Sequence, residues 1–120
     1  MTLTELSQPT IPAAALVASV STVGTATIVR LRGEADVFTL PVVVDALARA
    51  IADSEAPVIV DLADTGFIDT GTVRAIARAW QFLDGRQRML TLRSPSRIAV
   101  RVLGVLGLSH LIEPDRMTAA

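Results

Sequence analysis

The sequence predicts an α/β fold: a single mixed β-sheet with helices packed on it, in the order β-β-α-β-α-β-α-β. Three observations predict it. Two β-branched runs near the N-terminal end are separated by a short turn, as in an antiparallel hairpin. Beyond them, stretches with apolar residues at helical spacing alternate with short apolar runs, and helices between strands favour parallel, right-handed crossovers. Finally, 120 residues of which 51% are hydrophobic suffice for one core without disulfide or metal.

The hairpin strands are residues 14–21 and 25–32, turning around Val23 and Gly24. Next, Leu40, Val43, Val44, Leu47, Ala48 and Ile51 recur at i, i+3, i+4, i+7, i+8 and i+11, while Asp45 and Arg49 pair at i+4 on the opposite face. Thr39 is placed to cap this helix, and Pro41 falls in its first turn, where a missing N–H is harmless. The run Val58-Ile59-Val60-Asp61-Leu62-Ala63 is too short for a helix and reads as a buried strand opened by Pro57. A second helix carries Val73, Ile76, Ala77, Trp80 and Leu83 on its apolar stripe and Arg74, Arg78 and Gln81 on its wet face, with Gly85 placed to end it in a left-handed turn. Residues 89–93 form a short strand. Ser94-Pro95 then starts a helix lined by Ile98, Ala99, Val102, Leu103 and Leu106 until Gly107, and a last short strand is expected at residues 110–113. The expected organisation is a flexible segment at 1–13, a domain at 14–113 and a tail at 114–120. Its expected core includes Leu47, Ile51, Ile59, Val60, Ile76, Val102 and Leu106.

Composition removes much chemistry before any motif is read. The chain has no Cys and one His (His110), so thiolate catalysis and a zinc site built from the usual ligands are excluded. All 11 basic residues are Arg, which removes the phosphate-loop lysine, Schiff-base mechanisms and a lysine general base. No cofactor and no metal are expected. Charge is uneven along the chain: residues 1–69 hold nine acids and three Arg, net −6, whereas residues 70–112 hold one acid and seven Arg, net +6. With no Lys clusters and four aromatic residues (Phe38, Phe67, Trp80, Phe82), a nucleic-acid partner is disfavoured and a protein partner fits better. The uncharged stretch from Leu6 to Val29 lacks a basic flank and is broken by Pro9, Pro12 and Gly24, so neither a signal peptide nor a membrane span is expected. The expected location is cytoplasmic.

In a parallel sheet the loops after the carboxyl ends of the strands gather along one edge. Here these are Gly33-Glu34-Ala35-Asp36, residues 64–72, and Ser94-Pro95. The second contains two Asp-Thr-Gly triplets, Asp64-Thr65-Gly66 and Asp69-Thr70-Gly71, similar to the active-site signature of aspartic proteases. That chemistry needs paired carboxylates on two symmetry-related loops of a nearly all-β dimer, which the helical stripes contradict. Residues 58–65 also resemble the nucleophile motif of haloacid dehalogenase-like phosphatases, but Asp61 and Asp64 are one residue too far apart. Ser109 and His110 are neighbours that would point to opposite faces of a strand, a poor nucleophile and base. No enzymatic activity is expected. Asp69 has a simpler use as a helix cap, and hydroxyls at Thr70 and Thr72 lie where a helix N-terminus tolerates phosphate.

Taken in order, Val29-Arg30-Leu31-Arg32-Gly33-Glu34-Ala35-Asp36, Val60-Asp61-Leu62, Phe67-Ile68-Asp69-Thr70-Gly71-Thr72-Val73, Ser94-Pro95 and Gly107-Leu108 resemble the STAS domain of bacterial anti-sigma factor antagonists. The resemblance spans residues 14–113. It implies binding to an anti-sigma factor that is also a serine kinase, release of the sigma factor, and an end to binding when a hydroxyl at the start of the second helix is phosphorylated. The family's Gly-Glu-Leu-Asp loop corresponds to Gly33 to Asp36, with Ala35 for Leu, and its Asp-Ser-Ser-Gly motif to Asp69-Thr70-Gly71-Thr72. Gly71 holds the usual acceptor position, so the resemblance leaves three outcomes: phosphorylation of Thr70, of Thr72, or no switch. The implied partner-binding residues are Asp36, Thr39, Asp69, Thr70, Gly71, Thr72, Arg74 and Arg78. A STAS-type scaffold or adaptor serving another signalling complex is the alternative.

Overall fold

A computed structural model describes residues 16–114. The expected segment at 1–13 and all but the first residue of the tail at 114–120 lie outside the described residues. Strands β1 (Leu16–Val23) and β2 (Ala26–Ala35) form an antiparallel hairpin with Val23 opposite Ala26. Its two-residue turn is Gly24-Thr25, with Gly24 at φ 62°. Then follow α1 (Leu40–Asp53), β3 (Val58–Asp61), β4 (Thr65–Ile68), α2 (Thr70–Asp84), β5 (Leu90–Arg93), α3 (Arg97–Val105) and a 3₁₀ turn (Ser109–Leu111). The sheet is mixed, in the order β1-β2-β3-β5, with β4 also paired to β2. This is the expected fold class.

β4 was not expected, because residues 64–72 read as one loop. β2 is long enough to take two partners on one edge: Thr27 to Arg30 pair in parallel with Val58 to Asp61, and Gly33 to Ala35 with Thr65 to Ile68. The register slips between Gly33 and Glu34, where Gly33 adopts φ 123°, a conformation that other residues rarely take. Gly33 therefore kinks β2 within its length and does not end it.

Side chains alternate across the sheet as its period of two requires. Val29, Leu31, Val58, Val60, Leu90 and Leu92 point to one face and join Val43, Leu47, Val73, Ile76, Leu83 and Leu103 from the helices in one core. Ile59 stays outside that core, half-buried on the opposite face. There Arg30, Asp61 and Arg93 sit side by side in register, with Arg30 Nε 3.4 Å from Asp61 Oδ2 and Arg93 Nε 2.6 Å from Glu113 Oε1. The hydrogen bond that Arg93 donates to Glu113 raises the Arg93 pKa above its ordinary value; burial opposes it, and the charges of Glu113 and then Asp61 add to it.

Several local expectations are corrected. α1 buries Val43, Ala46, Leu47 and Ala50 and leaves Val44 and Ala48 exposed, so its core stripe is rotated toward the small alanines, with Ile51 only half-buried. Thr39 stands at the N-cap without a capping hydrogen bond. Gly85 is right-handed at φ −64°, and the left-handed residue after α2 is Gln87 at φ 57°. Ser96, not Ser94, caps α3 by accepting from the backbone N–H of Ala99 at 3.1 Å, while Ile98 is exposed and Val102 and Leu106 are half-buried. At residues 110–113 the chain makes the end of the 3₁₀ turn and a single bridge, Leu92 to Ile112, instead of a strand.

α1 ends without a basic residue in its own last turn, and its terminal carbonyls are satisfied from far along the chain. The Arg88 guanidinium donates to the carbonyls of Ile51 (3.0 Å) and Ala50 (3.2 Å) in the last turn of α1 and to that of Ala56 (2.6 Å) in the loop beyond it. Three donors in a fixed fork suit this task.

Two outcomes follow for stability. Leu47→Ala is expected to destabilise the fold by about 2–5 kcal/mol in urea unfolding, because its side chain fills the core beneath α1. Arg88→Met keeps an apolar stem but removes the donors, and is expected to lose about 2 kcal/mol. An unchanged unfolding midpoint would show that those carbonyls do not depend on Arg88.

Candidate functional site

The carboxyl ends of β2 and β4 lie side by side, with Ala35 opposite Ile68. One residue further on, the backbone N–H of Asp69 donates to the carbonyl of Ala35 at 3.0 Å, locking the start of α2 to the end of β2. The two Asp-Thr-Gly triplets have separate structural uses. Thr65 Oγ1 donates to the buried carbonyl of Leu31 at 2.7 Å, pinning β4 to β2, while Asp69 caps α2 by accepting from the backbone N–H of Thr72 at 2.8 Å. With three helices against a mixed sheet among the described residues, the chain does not have the nearly all-β fold that aspartic-protease chemistry would need.

The loop after β2 is held just as closely. Asp36 Oδ1 accepts from the backbone N–H groups of Phe38 (2.9 Å) and Thr39 (3.0 Å). Thr39 Oγ1 accepts from the N–H of Asp36 at 2.9 Å and donates to the carbonyl of Glu34 at 3.0 Å. Thr39 is buried, so it builds the turn and offers a partner nothing. What the turn displays is apolar: Val37 is exposed, and Phe38 retains 87% of its surface. Phe67 on β4 is a further exposed apolar side chain at this edge. Sequence reasoning passed over Val37 and Phe38, although two large apolar residues inside a turn bracketed by Asp36 and Thr39 are a readable signal.

At the start of α2 the hydroxyl candidates separate. Thr70, the first helical residue, is exposed, whereas Thr72 is fully buried and its Oγ1 has no hydrogen-bond partner. A kinase cannot reach Thr72 without opening the helix start. Gly71 lies between them with room for a side chain, since a Cβ there would meet only the Asp69 carboxylate oxygens, at 3.8 Å. Arg74 and Arg78 are exposed along the same helix. The edge thus brings Asp36, Asp69, Thr70 and Gly71 together, with Arg74 and Arg78 extending away from them.

Between α2 and α3 a cleft of about 250 Å³ is lined by Thr70, Arg101, Val102, Val105 and Leu106. Nothing in the sequence signals that Arg101 and Val105 share a cavity with Thr70, because the pairing comes from how the helices pack. A larger cleft of about 640 Å³ lies at the end of β5, lined by Arg93, Ser94, Pro95, Val100, Ile112, Glu113 and Pro114, and contains none of the expected site residues. Among the described residues no group of three or more His, Asp or Glu side chains is arranged to hold a metal ion, and no helix is long and apolar enough to cross a membrane.

This chain is similar in fold to an anti-sigma factor antagonist from Mycobacterium paratuberculosis, with TM-score 0.77 and 20% identity over 90% of this chain and 93% of that one. The anti-sigma factor antagonist SpoIIAA in its unphosphorylated form aligns with TM-score 0.71 and 19% identity over 86% of this chain and 92% of its own. The phosphorylated form of SpoIIAA, a Bacillus cell fate determinant, aligns with TM-score 0.67 and 19% identity over 86% and 96%. No curated protein sequence matches the chain. The STAS domain family model matches residues 18–119, nearly the whole described fold, and the chain belongs to the STAS domain family.

Proposed function

We propose that this protein is an anti-sigma factor antagonist: it binds an anti-sigma factor of the serine-kinase type through the carboxyl edge of its sheet and so releases a sigma factor. The observation that carries this reading is the hydrogen bond between Asp69 and Ala35, which fixes the exposed start of α2 beside the Asp36 turn. Two similar folds that are named as anti-sigma factor antagonists support it. The contacts run through Val37, Phe38, Thr70 and Gly71, with Arg74 and Arg78 along α2, while Asp36, Thr39, Asp69 and Thr72 hold that surface in shape. The protein acts by binding, without catalysis of its own, and works in the cytoplasm.

Control is proposed to act at Thr70. Its exposure, its place after the Asp69 cap and the favourable end of the helix dipole support a phosphate there. Gly71, at the family's usual acceptor position, favours a second reading in which the same surface serves a signalling complex constitutively, as a scaffold.

Gly71→Glu puts a carboxylate where family members carry phosphate, in a position with room for a side chain. It is expected to weaken binding of the anti-sigma factor at least tenfold in titration calorimetry while shifting the melting temperature little. Unchanged affinity would place the interface elsewhere. Incubated with that kinase and ATP, the protein is expected to gain a single phosphate, and Thr70→Val to gain none, by intact mass. A phosphate on Thr39, Thr72 or Ser94 overturns the assignment, and no phosphate on the parent favours the constitutive scaffold.

A further inference from the structure

We infer that the outer edge of β1 pairs with the same edge of a second copy of this chain, antiparallel, about a two-fold axis at Ser19. β1 ends the sheet: its eight residues pair with β2 alone, in unbroken register from Leu16 opposite Gly33 to Val23 opposite Ala26. Which of its backbone groups are free follows from β2. The N–H groups of Thr27 and Gly33 leave the hairpin and donate to the carbonyls of Pro57 at 2.8 Å and Asp64 at 3.0 Å. In an antiparallel pair, directly opposite residues either both face the ladder between them or both face away from it. Thr22 and Leu16, opposite those two, therefore turn their N–H and C=O outward, and the period of two adds Ala18 and Val20. Among the described residues no other strand or loop pairs with these outward groups.

The other end of the sheet is guarded. At β5, Leu92 bridges to Ile112, and the N–H of Glu113 donates to the carbonyl of Leu92 at 2.9 Å. β1 has no such cover among the described residues, and it carries none of the usual deterrents to strand pairing. Leu-Val-Ala-Ser-Val-Ser-Thr-Val contains no charge and no proline, and its pairing with β2 shows no bulge.

A second copy fits this edge because the edge is complementary to itself. With the axis at Ser19, Leu16 meets Thr22 of the second copy and Ala18 meets its Val20, so every outward N–H and C=O of both strands is paired. Ala18 and Val20, half-buried against the core, then cover each other across the seam. A residue on the axis faces its own kind, where a charge would repel itself, and here it is the exposed, neutral Ser19. The seam is about 27 Å long, one strand deep, and short of the area of a permanent dimer, so the association is a reversible one. It lies across β2 from β4 and leaves the start of α2 open on both copies.

The test uses the full chain, which has no Cys of its own. Ser19 faces β2, so two Ser19 residues across the axis form a non-hydrogen-bonded pair with Cα atoms about 4.5 Å apart, within the span of a disulfide. Under oxidised glutathione, Ser19→Cys is expected to form a covalent dimer at least tenfold faster than Val17→Cys, whose two copies stand four residues out of register. Mixing Val17→Cys with Ser21→Cys is expected to restore the fast rate, since those positions face each other. Without cross-linking, sedimentation velocity is expected to show the parent passing from monomer to dimer with concentration. Ser19→Lys is expected to raise the midpoint at least tenfold, and an equal mixture of Ser19→Lys and Ser19→Glu to recover it. Equal cross-linking rates for Ser19→Cys and Val17→Cys, both folded by circular dichroism, overturn the inference. So does a parent that stays monomeric at millimolar concentration, and if its Ala18 and Val20 amides are still protected from hydrogen exchange, the edge is taken within the chain, by residues 1–15.

Discussion

The fold turns on one strand that must satisfy two parallel partners along the same edge. β2 pairs with β3 over its first half and with β4 over its last three residues, while β1 occupies its other edge from Ala26 to Gly33. A flat strand in constant register would carry β4 on as a continuation of β3. The slip at Gly33 bends the ladder instead, and hydrogen bonds from the N–H of Gly33 to the carbonyl of Asp64 and from the N–H of Asp69 to that of Ala35 close the pairing on both sides of the bend. The position of α2, and everything displayed at its start, is inherited from that bend.

A consequence is a division of labour at the carboxyl edge. The polar residues that look most functional in the sequence, Asp36, Thr39 and Asp69, are consumed by the backbone: each fills donors or acceptors that a turn or a helix start would otherwise leave unmet. The residues left facing outward are less conspicuous in type. Val37, Phe38 and Thr70 are presented by a rigid base, which reduces the ordering cost of any association made through them.

The elements legible in the sequence are those with strong periodicity and enough length. α2 and α3 follow their apolar spacing, and β3 and β5 follow from short apolar runs between helices. β4 was hidden because Thr65-Gly66-Phe67-Ile68 has neither alternation nor length, and only its partner strand makes it a strand. The rotation of the α1 face was hidden for a different reason: Ala46 and Ala50 bury fully where α1 lies close to its neighbours, and hydrophobicity alone ranks the valines above them. At the proposed site, the family motif pointed to the start of α2. It could not separate Thr70 from Thr72, since burial of one of two hydroxyls two positions apart depends on which way the first turn faces the sheet.

The distant cap on α1 also bears on how the chain is made. A helix whose last carbonyls wait for Arg88 cannot complete its end from local residues, and the carbonyls of Ala50 and Ile51 are 38 and 37 positions away from their donor. During synthesis these donors are missing while β3, β4 and all of α2 are added. Closure arrives with the turn leading into β5, which also supplies the last strand of the sheet. A chain that stops short of Arg88 therefore carries an α1 whose last turn lacks the donors it has in the finished fold.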